Sequence, residues 1–366
     1  MKRVLCLLSG MNAGGAETFL MKMYRAIDKS EYQMDFCINV KEKCFYEDEI
    51  LSMGGKIYRI PSKSENLKEF KKQLTAIVKE NEYKYVLRIT SNAMGFMDLK
   101  IAKKAGASVC CARSSNASDG GSIKSQVVHR LGRMLYGGYV DVKIAPSDLA
   151  AKYTFGKKSY ENECVKILHN GVDLDVFKYY PEERRNIRDE FSIASDVKLI
   201  GHVGRFDEQK NHMFLLDVFQ KIHQKDSNTK LMLVGKGALE EKIRNRAKEL
   251  GVYDSVIFTG VRSDVPQILS AMDVFVLPSF YEGMPNTIIE SQATGLPCVI
   301  ADTITKEANI TGLVEYLPLG NSDAWAEKAL SIINTERVDT KDSFVLNRYD
   351  IKSVVEDFSR SIFDFQ

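Results

Sequence analysis

One feature constrains this chain more than any other. Short, continuous runs of Val, Ile, Leu and Cys alternate with longer stretches that carry a single apolar face. In the first half such runs lie at 3–9, 34–40, 56–61, 85–90, 107–112 and 140–146. In the second half they lie at 199–204, 231–235, 256–260, 274–278 and 297–301. Helical spacing occupies 17–27, 67–80, 213–224, 239–250, 286–293 and 324–333. A strand without polar alternation is buried on both faces, and the intervening helices supply that cover. The strands are therefore expected to be parallel. The fold class predicted is α/β, with two Rossmann-like, doubly wound domains.

The length of 366 residues suits two domains of about 150 residues each. The polar stretch 179–187, which contains Pro181, marks the expected boundary. This gives an N-terminal domain at 1–180, a C-terminal domain at 181–348, and a closing helix at 349–366 whose apolar residues return to the first domain. The net charge of +2 argues against a nucleic-acid partner. It hides a split, however. Residues 1–180 carry 29 Lys and Arg against 20 Asp and Glu, and residues 181–366 carry 22 against 29.

There are seven cysteines, an odd number, and none is in CxxC spacing. Cys6, Cys37, Cys110, Cys111 and Cys298 sit inside apolar runs, where a thiol behaves as a small hydrophobe. That usage suits a reducing cytoplasm. No apolar run approaches the roughly 18 residues of a membrane span. The N-terminus has no small-residue cleavage site and reads as a first strand. The five histidines form no metal-binding pattern.

Several motifs stand at the ends of the strand runs, where open α/β sheets bind ligands. After the first run comes Gly14-Gly15-Ala16-Glu17, a glycine turn entering a helix whose N-terminus attracts anions. It is neither GxGxxG nor GxxxxGK[ST]. In the second half one run ends in Gly204-Arg205 and continues to Lys210-Asn211. An Arg fork and a Lys point charge five residues apart can clamp a diphosphate. The next runs end in Gly235-Lys236-Gly237 and Gly260-Val261-Arg262. Glycine at three neighbouring strand ends implies close backbone approach there. The most informative segment is Glu282-Gly283-Met284-Pro285-Asn286-Thr287, with Glu290 one turn into the following helix. Free amides of a first helical turn suit sugar or phosphate oxygens, and a carboxylate suits a ribose diol.

Taken together, Gly14-Gly15-Ala16-Glu17, the turn His169-Asn170-Gly171-Val172-Asp173, the stretch from Val203-Gly204-Arg205 to Lys210-Asn211, and the pair Glu282 and Glu290 resemble the retaining glycosyltransferases of the GT-B architecture, family 4. The resemblance spans almost the whole chain and is strongest at 198–301. Ser279-Phe280-Tyr281-Glu282-Gly283-Met284-Pro285-Asn286 and Ala324-Trp325-Ala326 are similar to bacterial enzymes of capsule and exopolysaccharide assembly. It implies two facing domains with a nucleotide sugar in the cleft between them, held mostly by the second. Arg205, Lys210 and Glu282 are then the catalytic set. Gly14, Gly15, Val261, Arg262, Gly283, Met284, Pro285, Asn286, Thr287 and Glu290 bind the donor. The first domain takes the acceptor, a hydroxyl of a growing, lipid-linked surface glycan. The donor is a nucleotide diphosphate sugar, by preference a UDP-sugar carrying a hexose or N-acetylhexosamine.

The resemblance implies no cofactor and no metal, because cations aimed at the leaving diphosphate do that work. The one DxD string, Asp173-Leu174-Asp175, is read as a structural turn. There is one departure: many relatives place a His after the fifth strand, where this chain has Cys111-Ala112-Arg113-Ser114-Ser115-Asn116. Arg113, Ser114, Ser115 or Asn116 is expected to face the sugar instead. A nucleotide-sugar 2-epimerase and a non-catalytic nucleotide-sugar-binding subunit are the competing readings. In the basic half, Lys63, Lys68, Lys71, Lys72, Lys79, Lys100, Lys103 and Lys104 are candidates to rest on an anionic membrane surface, at about 1 kcal/mol each if close to it. The expected location is therefore cytoplasmic, peripheral to the inner face of the membrane.

Overall fold

The structure, a computed structural model, describes residues 1–12, 14–115, 123–282 and 284–364. The chain divides into two compact units. The first is Met1–Gly171 with Ile351–Gln366, and the second is Val172–Asp350.

The first unit is built on seven strands: β1 (Lys2–Leu7), β2 (Tyr32–Ile38), β3 (Ile57–Arg59), β4 (Tyr85–Thr90), β5 (Val109–Ser114), β6 (Val142–Ala145) and β7 (Lys166–Ile167). They lie in the order β3-β2-β1-β4-β5-β6-β7, and every pairing is parallel. Successive side chains point to opposite faces, so each strand feeds two cores. Val4, Cys6, Phe36, Leu87 and Ile89 face one layer, together with Phe19 and Leu20 of the helix Gly15–Ala26. Leu5, Leu7, Val86, Cys110 and Ala112 face the other, with Phe70, Leu74 and Leu99 from the helices Lys63–Glu80 and Phe96–Ala105. The closing helix Ile351–Phe363 packs on the first layer. Phe358 meets Phe19 edge-on at 6.1 Å, and Phe363 stacks on Tyr32 at 4.6 Å.

The second unit has six strands: β8 (Lys198–Val203), β9 (Thr229–Val234), β10 (Val256–Gly260), β11 (Val274–Leu277), β12 (Cys298–Ala301) and β13 (Val314–Leu317). Their order is β10-β9-β8-β11-β12-β13, again all parallel. Each unit is thus α/β and doubly wound, as the apolar runs imply.

Three sequence expectations need correction. The units part at Gly171/Val172 rather than near residue 180. Val172 is fully inside the second core, and its N–H donates to the Tyr349 carbonyl at 2.8 Å. The polar stretch at 179–187 is not a linker. It begins the helix Pro181–Glu190, whose proline takes the first turn, where its missing N–H costs nothing. Strands β7 and β13 were not expected. β7 is two residues long and β13 is half-exposed, so neither leaves a continuous apolar signature.

The five strand-borne cysteines are buried and unpaired. Among the described residues, no helix is long and apolar enough to cross a membrane.

Candidate functional site

Both sheets reverse their strand order once, between β1 and β4 in the first unit and between β8 and β11 in the second. Loops leaving such a pair of strands diverge to opposite faces, which opens a crevice at their carboxyl ends. Some of the residues singled out by sequence lie at these two places, and others do not.

In the second unit the chain leaves β8 at Gly204 and forms a single turn at Glu208–Lys210. The Asp207 side chain caps that turn, accepting from the Lys210 N–H at 3.3 Å. Asn211 then adopts a left-handed backbone (φ 54°), which Asn tolerates better than most residues. The helix His212–Lys225 follows. This tight reversal turns Lys210 inward and leaves Arg205 outside. Lys210 Nζ donates to Glu282 Oε1 at 2.6 Å, and the two side chains are 14% and 9% exposed. Arg205 is 79% exposed and lies 3.2 Å from Asp207. Gln209 joins the two loops, donating to the Tyr281 carbonyl at 2.8 Å, while Phe280 N–H donates to the Gln209 carbonyl at 2.9 Å. So the structure brings Lys210 and Glu282 into contact and keeps Arg205 apart from them.

The helix Asn286–Ala293 starts at Pro285 with no side-chain cap. Met284 packs against the core, and Glu290 is half-buried one turn in. Gly283 lies outside the described residues. Val261 is 67% exposed. Arg262 is held by two acids, Glu190 at 2.7 Å and Asp264 at 2.6 Å. The strand-end glycines serve the loops themselves. A Cβ at Gly235 would sit 2.0 Å from the Gly204 carbonyl oxygen, and one at Gly237 would sit 2.5 Å from that of Phe206. Close backbone approach therefore occurs there, between the β8 and β9 loops.

Two residues of this neighbourhood were missed. His202 and His212 are buried, with ring centroids 4.7 Å apart. His202 Nδ1 lies 2.9 Å from the Val276 carbonyl and so carries the proton. Its Nε2, and both nitrogens of His212, have no hydrogen-bond partner among the described residues. Burial, reinforced by Lys210, lowers both pKa values, that of His212 to about 4. Both rings are therefore neutral near pH 7. The signal available was a histidine inside the apolar run 199–204.

In the first unit a cavity of about 390 Å³ opens at the switch point, lined by Ser9, Glu17, Lys63, Arg88, Asn92 and Ser115 among others. Gly14 caps the helix Gly15–Ala26, and a Cβ on it would meet Glu17 Oε2 at 2.4 Å. Burial raises the Glu17 pKa. Lys63 and Arg88 share one carboxylate, that of Asp98, which is 2% exposed. Of the residues expected to replace the histidine, Ser115 lines this cavity. Ser114 is buried, 2.6 Å from Thr154 Oγ1. Arg113 is fully buried, its guanidinium 3.5 Å above the Phe19 ring and donating to Asn170 Oδ1 at 2.6 Å. That burial lowers its pKa to about 9. Asn116 lies outside the described residues. Asp173 closes a turn, accepting from the Asp175 N–H at 3.0 Å. Among the described residues no group of three acidic, His or Cys side chains is placed to hold a metal ion.

Comparison with known proteins identifies the fold and the family. Residues 197–335 match the family profile "Glycosyl transferases group 1". The chain is 37% identical over 332 residues to EpsF of Bacillus subtilis, a protein named as a glycosyltransferase, covering 89% of this chain and 86% of that one. It is 32% identical over 143 residues to the UDP-Gal:α-D-GlcNAc-diphosphoundecaprenol α-1,3-galactosyltransferase of Escherichia coli, covering 38% and 36%. The crystal structure of HepE from Anabaena, in complex with UDP and glucose, superposes with a TM-score of 0.80 over 99% of both chains at 17% identity. The fold is therefore the two-domain GT-B fold. Given the extent of the match to EpsF, the chain belongs to the group 1 glycosyltransferases.

Proposed function

We propose that this protein is a retaining, metal-independent transferase of family 4. It moves a hexose or N-acetylhexosamine from a UDP-sugar to a hydroxyl of a lipid-linked glycan in surface polysaccharide assembly. The observation that carries this reading is the Lys210–Glu282 pair at the second unit's switch point, 2.6 Å long and largely shielded from water. Cleavage of the sugar–phosphate bond builds negative charge on the diphosphate. A cation already fixed in place stabilises that charge without reorganising, and it is worth more where water is excluded. Arg205, exposed at the mouth, adds a second donor for the diphosphate. Glu282 orients Lys210 and faces a sugar hydroxyl. The first turn of the helix at 286–293 receives the donor sugar, Glu290 holds the ribose, and Val261 lies beside the base.

For the acceptor, the support is the E. coli relative, whose name specifies a diphosphoundecaprenol-linked acceptor. The HepE structures, solved in complex with UDP and with UDP-glucose, favour UDP over GDP. For a membrane surface, the structure narrows the lysine set. Lys63 pairs with Asp98, Lys103 with Asp141, and Lys100 lies over the rings of Tyr136 and Tyr139. Lys68, Lys71, Lys72, Lys79 and Lys104 remain exposed. A second observation points the same way. The helix Ile123–Tyr136 contains no acidic residue and exposes Val127, Val128, Leu131, Met134 and Leu135 beside Lys124 and Arg130. An apolar stripe flanked by cations suits the headgroup layer of an anionic bilayer.

The test is a panel of UDP- and GDP-sugars with a lipid-diphosphate glycan acceptor, read by product mass and anomeric configuration. Transfer with retention and undiminished activity in chelator are expected. An epimer formed without acceptor, or donor binding without turnover on any acceptor, would replace this reading with one of its competitors. Loss of activity in chelator would overturn metal independence. Vesicles containing anionic lipid should pellet the protein at low salt and release it at high salt.

A further inference from the structure

The first unit's cavity contains an arrangement that folding alone disfavours. Lys63 opens the segment Lys63–Glu80, in a single turn set off from the rest by non-helical backbone at Asn66 (φ −156°, ψ 92°). It is 29% exposed, and burial lowers its pKa, with Arg88 acting in the same direction. Arg88 interrupts the apolar strand β4 and is 15% exposed. Both cations depend on the single carboxylate of Asp98, Lys63 Nζ at 2.7 Å and Arg88 Nε at 3.1 Å. The second contact is close but lacks hydrogen-bond alignment, so Arg88 Nε is left without a bonded partner. The two Nη groups of Arg88 have no hydrogen-bond acceptor among the described residues. Two cations against one acid leave a local excess of positive charge. Glu17, the other acid at the cavity, does not remove it. Among the described residues neither cation lies within ion-pair distance of the Glu17 carboxylate. The cavity therefore has a cationic end at Lys63 and Arg88 and a separate carboxyl end at Glu17.

We infer that Lys63 and Arg88 form a subsite for an oxyanion, a phosphoryl or carboxylate group, carried by the acceptor. The inference rests on reading the first unit as the acceptor-binding unit. The Arg88 fork presents two parallel N–H donors to the anion, and Lys63 adds a point charge. Asp98 positions both cations. Ser9 and Asn92 lie on the same cavity wall and offer further polar contacts.

The test is calorimetric titration of the full chain, first saturated with UDP, with inorganic pyrophosphate and separately with malonate. One further equivalent of either anion should bind. Arg88→Gln and Lys63→Gln should each weaken it ten-fold or more, while Lys71→Gln, on the exposed helix face, leaves it unchanged. Preference for pyrophosphate assigns a phosphoryl-bearing acceptor, and preference for malonate a carboxylate-bearing one. No binding of either anion by the UDP-saturated protein, or equal affinity in all variants, overturns the subsite. Unchanged melting temperatures establish that the variants are folded. If UDP itself does not bind, the donor reading fails instead. The same titration on Lys210→Ala without UDP then still tests the first unit.

Discussion

The two switch points share a topology and differ in how they hold positive charge. In the second unit one buried cation faces one buried carboxylate, Lys210 with Glu282, and the extra cation, Arg205, stands in solvent. In the first unit two shielded cations lean on one carboxylate, Asp98. The second arrangement is balanced before any ligand arrives, whereas the first is not. The difference matters because a buried charge without a partner costs several kcal/mol, while an exposed ion pair contributes little. A balanced pair holds its cation rigid whether or not a ligand is bound. An unbalanced cluster keeps binding energy in reserve for an anion.

The largest expected effect tests that contrast directly. Asp98→Asn leaves two shielded cations unpaired and should cost about 5 kcal/mol of unfolding free energy, whereas Glu282→Gln leaves one and should cost about 3 kcal/mol. Denaturant unfolding measures both. Equal costs would mean that solvent reaches Lys63 and Arg88 well enough to make the two clusters equivalent. Next is the rate. Lys210→Ala should lower kcat by about 10²–10³, because the lost contact strengthens as the diphosphate leaves. A change confined to KM would show that Lys210 serves ground-state binding instead.

Beneath Lys210 the histidine pair gives a third contrast, since no such pair was found at Asp98 among the described residues. His212 has a folded pKa of about 4, below its ordinary value, so between those limits the unfolded chain binds more protons. Stability is intact above about pH 6.5 and falls as the solution is acidified toward pH 4. The loss from His212 alone is about 2 kcal/mol at pH 5. His212→Phe should flatten that limb of the stability profile. A wild-type profile already flat from pH 7 to 5 would mean that water reaches the ring.

What the sequence made legible follows from where charge and apolarity contrast. The apolar runs revealed eleven of the thirteen strands, because a doubly covered strand is written as uninterrupted hydrophobic sequence. The two missed, β7 and β13, are a two-residue strand and a half-exposed one. Arg205, Lys210 and Glu282 were legible because charged residues stand just beyond such runs. Arg88 and His202 were not singled out, although each is a polar residue inside a run. A polar residue within an apolar strand also occurs for purely structural reasons, and only its neighbours decide. Those neighbours, Asp98, Lys63 and His212, lie on helices outside the runs themselves. Lys63 was read as a surface charge because its helix carries four exposed lysines on the same periodic pattern.

The smallest effect concerns Arg205, and it separates two meanings of a catalytic cation. Lys210 and Arg205 are five residues apart, but the reversal at Asn211 follows the first and not the second. One side chain is therefore locked and the other stays in solvent. A locked cation contributes to both folding and rate, so Lys210→Ala should lower the melting temperature as well as kcat. An exposed cation whose one ion-pair partner among the described residues is Asp207, at 3.2 Å, contributes almost nothing to folding, so Arg205→Ala should change stability by less than about 0.5 kcal/mol. Its share of the leaving-group charge is screened by salt. The rate loss should be about ten-fold at low ionic strength and smaller at 0.5 M salt. That salt dependence should vanish in Arg205→Ala and persist in Lys210→Ala, because the screened interaction is present only while Arg205 is. Identical salt dependence in the two variants would place both cations in the same environment during turnover. The Arg205 loop would then have to fold down over the donor, giving the second switch point the same two-cation character that the first has at rest.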